Sequence, residues 1–162
     1  TWDTYFGGFK YTHGTPFRRA IEENLIDPKK YVILGLRGGL YDPDDLKWAI
    51  EQGITIITTD KFYEIGMAES IKIIKDTIGD TLTYFTFDID GIDPTYAPGT
   101  GTPEVGGINV HEAQLIIRDL KDLNFIGADV VEVSPPFDVN NMTSLVGATI
   151  AFEILCTMTK TN

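Results

Sequence analysis

The sequence predicts a three-layer α/β/α fold built on a mainly parallel sheet. Apolar segments of strand length alternate along the chain with amphipathic segments of helix length, and this order favours parallel strands joined by crossover helices. The run 31–36 is continuously apolar, as expected of a strand covered on both faces. Because the 162 residues contain no internal repeat, low-complexity tract or linker, we predict a single domain over residues 1–162.

The first half of the chain contains three predicted helices and two predicted strands. The first helix begins at Pro16, whose fixed φ suits a first helical turn, and extends to Leu25. Two further helices end at glycines that follow them, because glycine readily leaves the helical conformation. Those helices are residues 44–52 and 64–78, and the strands are residues 31–36 and 54–59.

The second half brings acidic residues to strand ends. Strand 82–88 is followed by a loop rich in glycine and proline, a helix capped by Asn109 and ending near Leu120, strand 129–133 and a closing helix, 142–158. In parallel sheets, ligands bind beyond the C-terminal ends of the strands. We therefore expect an active site at that edge of the sheet.

Composition restricts the classes of partner. Thirteen basic and 24 acidic residues give a formal charge of −11, which argues against nucleic acid or an anionic membrane surface and suits a cationic ligand. No apolar run has the length of a membrane span, and the first residues do not form a signal peptide. The single cysteine, Cys156, lies in an apolar helical stretch, so we expect it to be buried and the protein to be cytoplasmic.

Asp88 and Asp90 predict a metal site. Alternate residues of a strand share a face, so the two carboxylates are expected side by side at the end of an apolar strand. Such a pair requires a compensating cation, and hard divalent ions prefer oxygen ligands. The alternative is that the two residues cap and turn the chain. Asp93, which precedes a proline, is predicted to bind the backbone of the following loop, where Gly99, Gly101, Gly106 and Gly107 allow tight folding.

His13 and Glu132 are candidates for proton transfer and cation binding. The chain has two histidines, and His111 stands in a helical first turn, where a surface role is the better interpretation. Glu132, in an apolar strand, requires a cationic partner, and a guanidinium can engage both of its oxygens. That partner is either a ligand or one of three arginines: Arg18, Arg19 or Arg37. The aromatic residues Trp2, Tyr5 and Phe6 either wall a pocket or pack together.

Four separated motifs resemble those of the ureohydrolases, the arginase/agmatinase superfamily. They are Thr-His-Gly-Thr-Pro-Phe (12–17), Phe-Asp-Ile-Asp-Gly-Ile-Asp-Pro (87–94), Ala-Pro-Gly-Thr-Gly-Thr-Pro-Glu (97–104) and Val-Glu-Val-Ser-Pro-Pro (131–136). The opening at 2–7 is most similar to the branch of agmatinase, guanidinobutyrase and proclavaminate amidinohydrolase. The resemblance extends from the first residue almost to the last.

The resemblance implies a binuclear manganese centre that hydrolyses a guanidino group to urea and an amine. By position, Asp88 and Asp90 match two aspartate ligands of Mn²⁺, His13 matches the histidine that shuttles protons, and Glu132 matches the glutamate that engages the guanidinium. Two metals lower the pKa of a bridging water, which provides the hydroxide that a poorly electrophilic guanidinium carbon requires. Relatives form trimers or hexamers, so the resemblance also implies a homo-oligomer.

The chain departs from this family in one respect. The upstream Gly-Gly-Asp-His and Asp-Ala-His-x-Asp motifs, which carry the other metal ligands, do not occur in the sequence. We therefore expect an N-terminally incomplete, arginase-like C-terminal half that has little or no activity alone. The alternatives are a non-catalytic domain of the same fold that binds partners or cationic ligands, and another two-metal hydrolase. Agmatine and guanidinobutyrate both remain candidate substrates, and Arg18 or Arg19 would favour the carboxylate of the second.

Overall fold

The computed structural model describes residues 5, 7–39 and 44–159. The strands in these ranges are β1 (Val32–Leu36), β2 (Thr55–Thr58), β3 (Leu82–Asp88) and β4 (Asn124–Val131). The α-helices are α1 (Pro16–Glu22), α2 (Lys47–Gln52), α3 (Thr59–Ile65), α4 (Met67–Ile78), α5 (Val110–Asp119) and α6 (Met142–Met158). No helix in these ranges has both the length and the apolar character that crossing a membrane demands.

The strands pair in parallel, as predicted. β1 pairs with β2 and β3 pairs with β4, so the described strands form two separate two-stranded sheets instead of one continuous sheet. In the second sheet, Asp88 lies opposite Val131. The residues that follow β3 and β4 therefore meet at the same edge, where the sequence places Asp88, Asp90 and Glu132.

One hydrophobic cluster connects both sheets to the helices. It extends from Ile57 of β2 to Ile154 of α6 and includes Ile89 and Ile92, which are 0% and 1% exposed. These two isoleucines immediately flank the Asp90 turn. The backbone of the candidate site is therefore anchored in the core.

Several element boundaries differ from the sequence predictions. The predicted helix 64–78 is replaced by α3 and α4, which Gly66 separates with a φ of 82°. Helix α3 begins early because the Thr58 side chain accepts a hydrogen bond from the Lys61 amide and so acts as its N-cap. Strand β4 begins five residues before the predicted strand and ends at Val131, so Glu132 lies outside it.

Both C-terminal helices were predicted with their correct starts. Asn109 caps α5 in a reciprocal capping box with Glu112, and α6 has the predicted bounds. The expectation that Cys156 is buried is wrong, because its residue is exposed. Helix α6 is apolar on nearly every face, so its pattern does not distinguish the buried side. Its exposed large apolar side chains are Met142, Leu145, Phe152 and Leu155.

Candidate active site

Asp88 and Asp90 lie on either side of the point where β3 ends. Asp88 is the last residue of the strand, and Asp90 belongs to the 3₁₀ turn Ile89–Gly91. The Asp90 amide donates to Asp88 Oδ1 over 2.9 Å. The argument that both carboxylates share a strand face is therefore wrong, because the chain leaves the extended conformation at the buried Ile89. Asp88 acts as a turn cap, which the alternative interpretation predicted, and a carboxylate that accepts one bond retains further lone pairs for a cation.

Two threonine hydroxyls hold the Asp90 carboxylate. Thr100 donates to Asp90 Oδ1 and Thr102 donates to Oδ2. Thr100 is 3% exposed and forms an antiparallel bridge with Val133, just after β4. The loop after β3, the loop after β4 and the Asp90 side chain are thus mutually connected.

The carboxyl group of Asp88 has an unusual pKa. The residue is exposed by surface area, yet surrounding atoms desolvate its carboxyl group, and this raises the pKa to about 6. The bond from the Asp90 amide opposes the increase, whereas the negative charges of Asp90 and Glu132 add to it. The carboxylates of Asp90 and Glu132 therefore repel that of Asp88 at this edge. The ion pairs among the described residues do not include Asp88 or Asp90.

His13 and Glu132 meet although they are far apart in sequence. His13 Nδ1 lies 4.0 Å from Glu132 Oε1, and their side chains are 70% and 36% exposed. His13 comes from the loop before α1, and Glu132 directly follows β4. Glu132 has a φ of +67°, a left-handed conformation that is uncommon for a residue with a Cβ atom. It is exposed and lies beyond the strand, so the expectation of a Glu132 buried within the strand is wrong.

The three arginines considered as partners of Glu132 have other contacts. Arg18 and Arg19 both bind Glu22 Oε1, at 3.0 and 2.9 Å, and the Arg18 guanidinium lies 4.3 Å from the centre of the Trp48 ring. Arg37 binds backbone carbonyls of the loop after β3 and its neighbours. The described contacts of Glu132 therefore do not include a structural arginine partner.

The structural role predicted for Asp93 is confirmed. Its carboxylate accepts bonds from the Thr95 amide at 2.9 Å and from the Gly106 amide at 2.7 Å. A bond from the Thr95 side chain has the largest effect, and together with the amides of Thr95, Gly106 and Gly107 it lowers the pKa of Asp93 to about 2. Asp93 thus closes the glycine-rich loop.

The glycines of this loop have unequal roles. A Cβ atom at Gly99 would lie 2.8 Å from the Asp138 backbone, and one at Gly107 would lie 2.5 Å from the Asp93 amide. Gly106 has a φ of +78°, whereas a Cβ atom at Gly101 would meet open space. Tight folding near the site therefore depends on Gly99, Gly106 and Gly107.

The remaining candidates are exposed or lie outside the described residues. His111 is exposed on α5, in agreement with the surface interpretation. Tyr5 is also exposed, and Trp2 and Phe6 lie outside the described residues. Sequence reasoning missed Thr100 and Thr102; the signal for them was the Gly-Thr-Gly-Thr segment 99–102, close in sequence to a carboxylate pair.

The two aspartates have the oxygen ligands that a hard cation prefers, but they are too few to complete its coordination. Within residues 5, 7–39 and 44–159, no group of three or more His, Cys, Asp or Glu side chains is arranged to hold a metal ion. Asp88 and Asp90 offer carboxylate oxygens, the ligands that Mn²⁺ and Mg²⁺ prefer. Octahedral coordination of such an ion requires about six ligands, so the two carboxylates account for one part of a site.

The fold and this site define a parallel α/β protein with an acidic cluster at the C-terminal ends of two strands. Comparison with known protein families identifies the family within this class. The model of the Arginase family matches residues 1–157, and the chain belongs to that family. The predicted resemblance and the arginase-like α/β fold class are thereby confirmed.

The sequences of several named relatives align with almost the whole chain. A guanidinopropionase of Pseudomonas aeruginosa is 53% identical over 154 residues, which are 95% of this chain and 48% of that protein. A mitochondrial agmatinase of Gallus gallus is 42% identical over 93% of this chain and 44% of its own length. The solved structure of proclavaminate amidinohydrolase from Streptomyces clavuligerus has a TM-score of 0.91 at 40% identity, covering 97% of this chain and 52% of that one. The chain spans about half the length of the curated relatives it matches.

Proposed function

We propose that this chain, within a polypeptide of its relatives' length, forms part of an active site that hydrolyses a guanidino compound to urea and an amine. The observation that carries the proposal is the meeting of His13 and Glu132 at the sheet edge where Asp88 and Asp90 stand. Family membership supports it, because relatives named guanidinopropionase, guanidinobutyrase and agmatinase match nearly all of the chain.

Each of the four residues has a chemical role in this proposal. Asp88 and Asp90 would hold Mn²⁺ through carboxylate oxygens. The bound metal would supply a water of lowered pKa, and hence a nucleophile near neutral pH. Glu132, exposed and without an arginine partner among its described contacts, would accept N–H bonds from the substrate guanidinium and orient it. His13 would donate a proton to the departing amine nitrogen as its bond to the guanidinium carbon breaks.

We further propose that residues 1–162 are the C-terminal portion of one ureohydrolase domain. Two carboxylates bind a divalent cation weakly, and additional ligands from other polypeptide would be needed to bind a pair of ions. The chain by itself is then expected to release little urea. Cytoplasmic location and assembly into trimers or hexamers stay predictions from the sequence.

The proposed substrate class is a linear guanidino compound. Agmatine and guanidinobutyrate differ at the end remote from the guanidinium, where one carries an amine and the other a carboxylate. Arg18 and Arg19 were candidates for binding that carboxylate, and their contacts with Glu22 weaken this assignment. The name of the guanidinopropionase relative favours including guanidino acids of different lengths in any assay.

Urea release tests the proposal. The protein is expressed from its complete reading frame and assayed with agmatine, guanidinobutyrate, guanidinopropionate and arginine, with added Mn²⁺ and after chelation. We expect Mn²⁺-dependent urea release with at least one substrate, a large loss in Glu132→Gln and a shifted pH profile in His13→Asn. Release that persists undiminished in Glu132→Gln, or the absence of release with every substrate, would contradict it.

A non-catalytic domain of the same fold is the second candidate. The observation in its favour is that no group of three or more His, Cys, Asp or Glu side chains among the described residues is arranged to hold a metal ion. For this candidate, calorimetry would detect binding of a guanidino compound, whereas the urea assay would detect no urea. A substrate-dependent release of urea rejects this candidate.

A further inference from the structure

Arg37 occupies an unusual position between β1 and the Asp90 turn. It directly follows β1, and its guanidinium donates to five backbone carbonyl oxygens. Its Nη2 donates to Asp90 O at 2.6 Å, to Glu104 O at 2.5 Å and to Ile92 O at 3.5 Å. Its other nitrogens donate to Gly35 O and Val105 O, each at 3.2 Å. Three chain segments thus converge on one side chain.

The space that Arg37 occupies depends on a glycine. A Cβ atom at Gly107 would lie 2.8 Å from Arg37 Nη2 and 2.8 Å from the Ile92 carbonyl carbon. Any larger residue at this position would push the guanidinium away from the turn. Gly107 is buried and Arg37 is half-buried, so a displaced guanidinium would move outward and lose its bonds to the turn.

Arg37 and the two threonines hold Asp90 from opposite ends. Arg37 binds the Asp90 backbone carbonyl, whereas Thr100 and Thr102 bind the Asp90 carboxylate. A side chain that is held both at its backbone and at its carboxylate has little freedom to rotate. Groups that orient a metal ligand in this way raise metal affinity without touching the metal.

We propose that Arg37 is a positioning residue of the metal site, which fixes the Asp90 turn and so aims the Asp90 carboxylate. The inference rests on the proposed function, because it assigns Asp90 as a metal ligand. A planar guanidinium with five N–H donors can bind several carbonyls at once, whereas a lysine ammonium acts as a compact point charge. The ion pairs among the described residues do not include Arg37, so carbonyl dipoles rather than a carboxylate surround its charge.

The test measures Mn²⁺ affinity by calorimetry in the protein expressed from its complete reading frame. Arg37→Met is expected to weaken Mn²⁺ binding by about 10- to 100-fold, the typical effect of removing an orienting group. At saturating Mn²⁺, the KM for the guanidino substrate should change by less than about twofold, since Arg37 binds backbone and not substrate. Arg37→Lys provides a variant that keeps the charge, and an intermediate loss is expected for it.

Arg118→Met is the matched control. Arg118 resembles Arg37 in that its guanidinium links two segments of the chain. It binds Glu153 Oε2 at 2.8 Å and so joins α5 to α6. Its removal is expected to lower the unfolding temperature and to leave Mn²⁺ affinity unchanged. If Arg37→Met does not fold, Arg37→Lys replaces it in the comparison.

The outcomes separate the inference from the function beneath it. Unchanged Mn²⁺ affinity in Arg37→Met, or an equal loss in Arg118→Met, overturns the positioning role while Asp90→Asn still loses the metal. If the unsubstituted protein binds no Mn²⁺, or if Asp90→Asn binds it as tightly, the metal assignment fails and the positioning role fails with it.

Discussion

Glu132 combines the carboxylate that lies beside His13 with an unfavourable backbone conformation. Its φ of +67° places a residue with a Cβ atom in the left-handed region, which costs roughly 1–2 kcal/mol relative to the right-handed one. Strained conformations of this kind are enriched at functional sites. At Glu132 the strain coincides with the carboxylate that meets His13.

Substitution of Glu132 should separate stability from activity. We expect Glu132→Gly to be more stable than Glu132→Ala by about 1 kcal/mol, because only glycine adopts this φ without strain. Neither variant has the carboxylate, so under the proposed function both should lose urea release in the protein expressed from its complete reading frame. Urea denaturation measures the difference in free energy of unfolding.

Comparing the two variants with each other removes the effect of the His13 contact, which both lack. Equal stability of the alanine and glycine variants would show that the backbone relaxes once the carboxylate is gone. A less stable glycine variant would show that the left-handed conformation carries no strain.

The sequence singled out most residues of the candidate site but not the backbone that presents them. His13, Asp88, Asp90 and Glu132 stand out by residue type and motif, and the structure brings His13 to Glu132 and couples Asp88 electrostatically to Asp90 and Glu132. Strand periodicity placed Asp90 wrongly, because a 3₁₀ turn has no period-two pattern to detect. The left-handed Glu132 could not be predicted either, since glutamate seldom adopts that conformation.

At the scale of elements, the loop after β3 is hydrogen-bonded to the start of α6. The Gly99 amide donates to Thr143 Oγ1 at 2.8 Å, and the Gly99 carbonyl accepts from the Ser134 amide at 2.8 Å. Thr143 is fully buried. This contact joins the segments that follow β3 and β4, and the next residue, Thr100, holds Asp90.

Two separate alanine variants test this contact. Gly99→Ala places a methyl group 2.8 Å from the Asp138 backbone, so we expect a loss of about 1–3 kcal/mol in the free energy of unfolding, as in other overpacked sites. Gly101→Ala, two residues away, meets open space and should cost less than about 0.5 kcal/mol. Thermal or urea unfolding of both variants measures the contrast, and equal losses would contradict the assignment.

Element type was easier to predict than element length. Asn109 and the strand 82–88 were located correctly because a capping residue and an apolar run are local signals. The division of the predicted helix 64–78 at Gly66 was missed, because the apolar spacing of α4 resumes immediately after the glycine. Strand β4 was shortened in prediction because Asn124 and Gly127 are poor strand formers by themselves.

At the scale of the whole molecule, we expect the free energy of unfolding of the metal-free protein to be largest in mildly acidic solution. The titration of Asp88 and Asp93 produces this maximum. The pKa of Asp88 is raised to about 6, so its favourable contribution is complete below its ordinary value of 3.8 and disappears as the pH rises through about 6. The pKa of Asp93 is lowered to about 2, so its contribution is present above 3.8 and disappears as the pH falls through about 2. Both contributions are largely present together only near about pH 4, and the Asp88 contribution falls steadily from there to about pH 6.

Denaturation of the chelator-treated protein checks this. The urea midpoint should be higher near about pH 5 than near about pH 7.5, and Asp88→Asn should reduce that difference because the amide does not titrate. Asp93→Asn, which alters the acid side only, serves as the control for the same pH interval. An undiminished difference in Asp88→Asn would assign the effect to other groups.

The parallel α/β class was predictable for the whole molecule because it follows from the order of elements along the chain. The division of the described strands into two pairs was not, since pairing depends on which segments lie beside one another in space. The solvent-facing side of α6 was not predictable for a related reason. The sequence of a helix that is apolar on nearly every side does not indicate which side is buried.

Cys156 is the one cysteine of the sequence, and it lies on that exposed apolar helix beside Leu155. In the 162-residue chain a maleimide fluorophore would therefore attach at a single known point, without any engineered thiol. The rate of that labelling, compared between the 162-residue chain and the product of its complete reading frame, would report directly on whether the outer surface of α6 becomes covered.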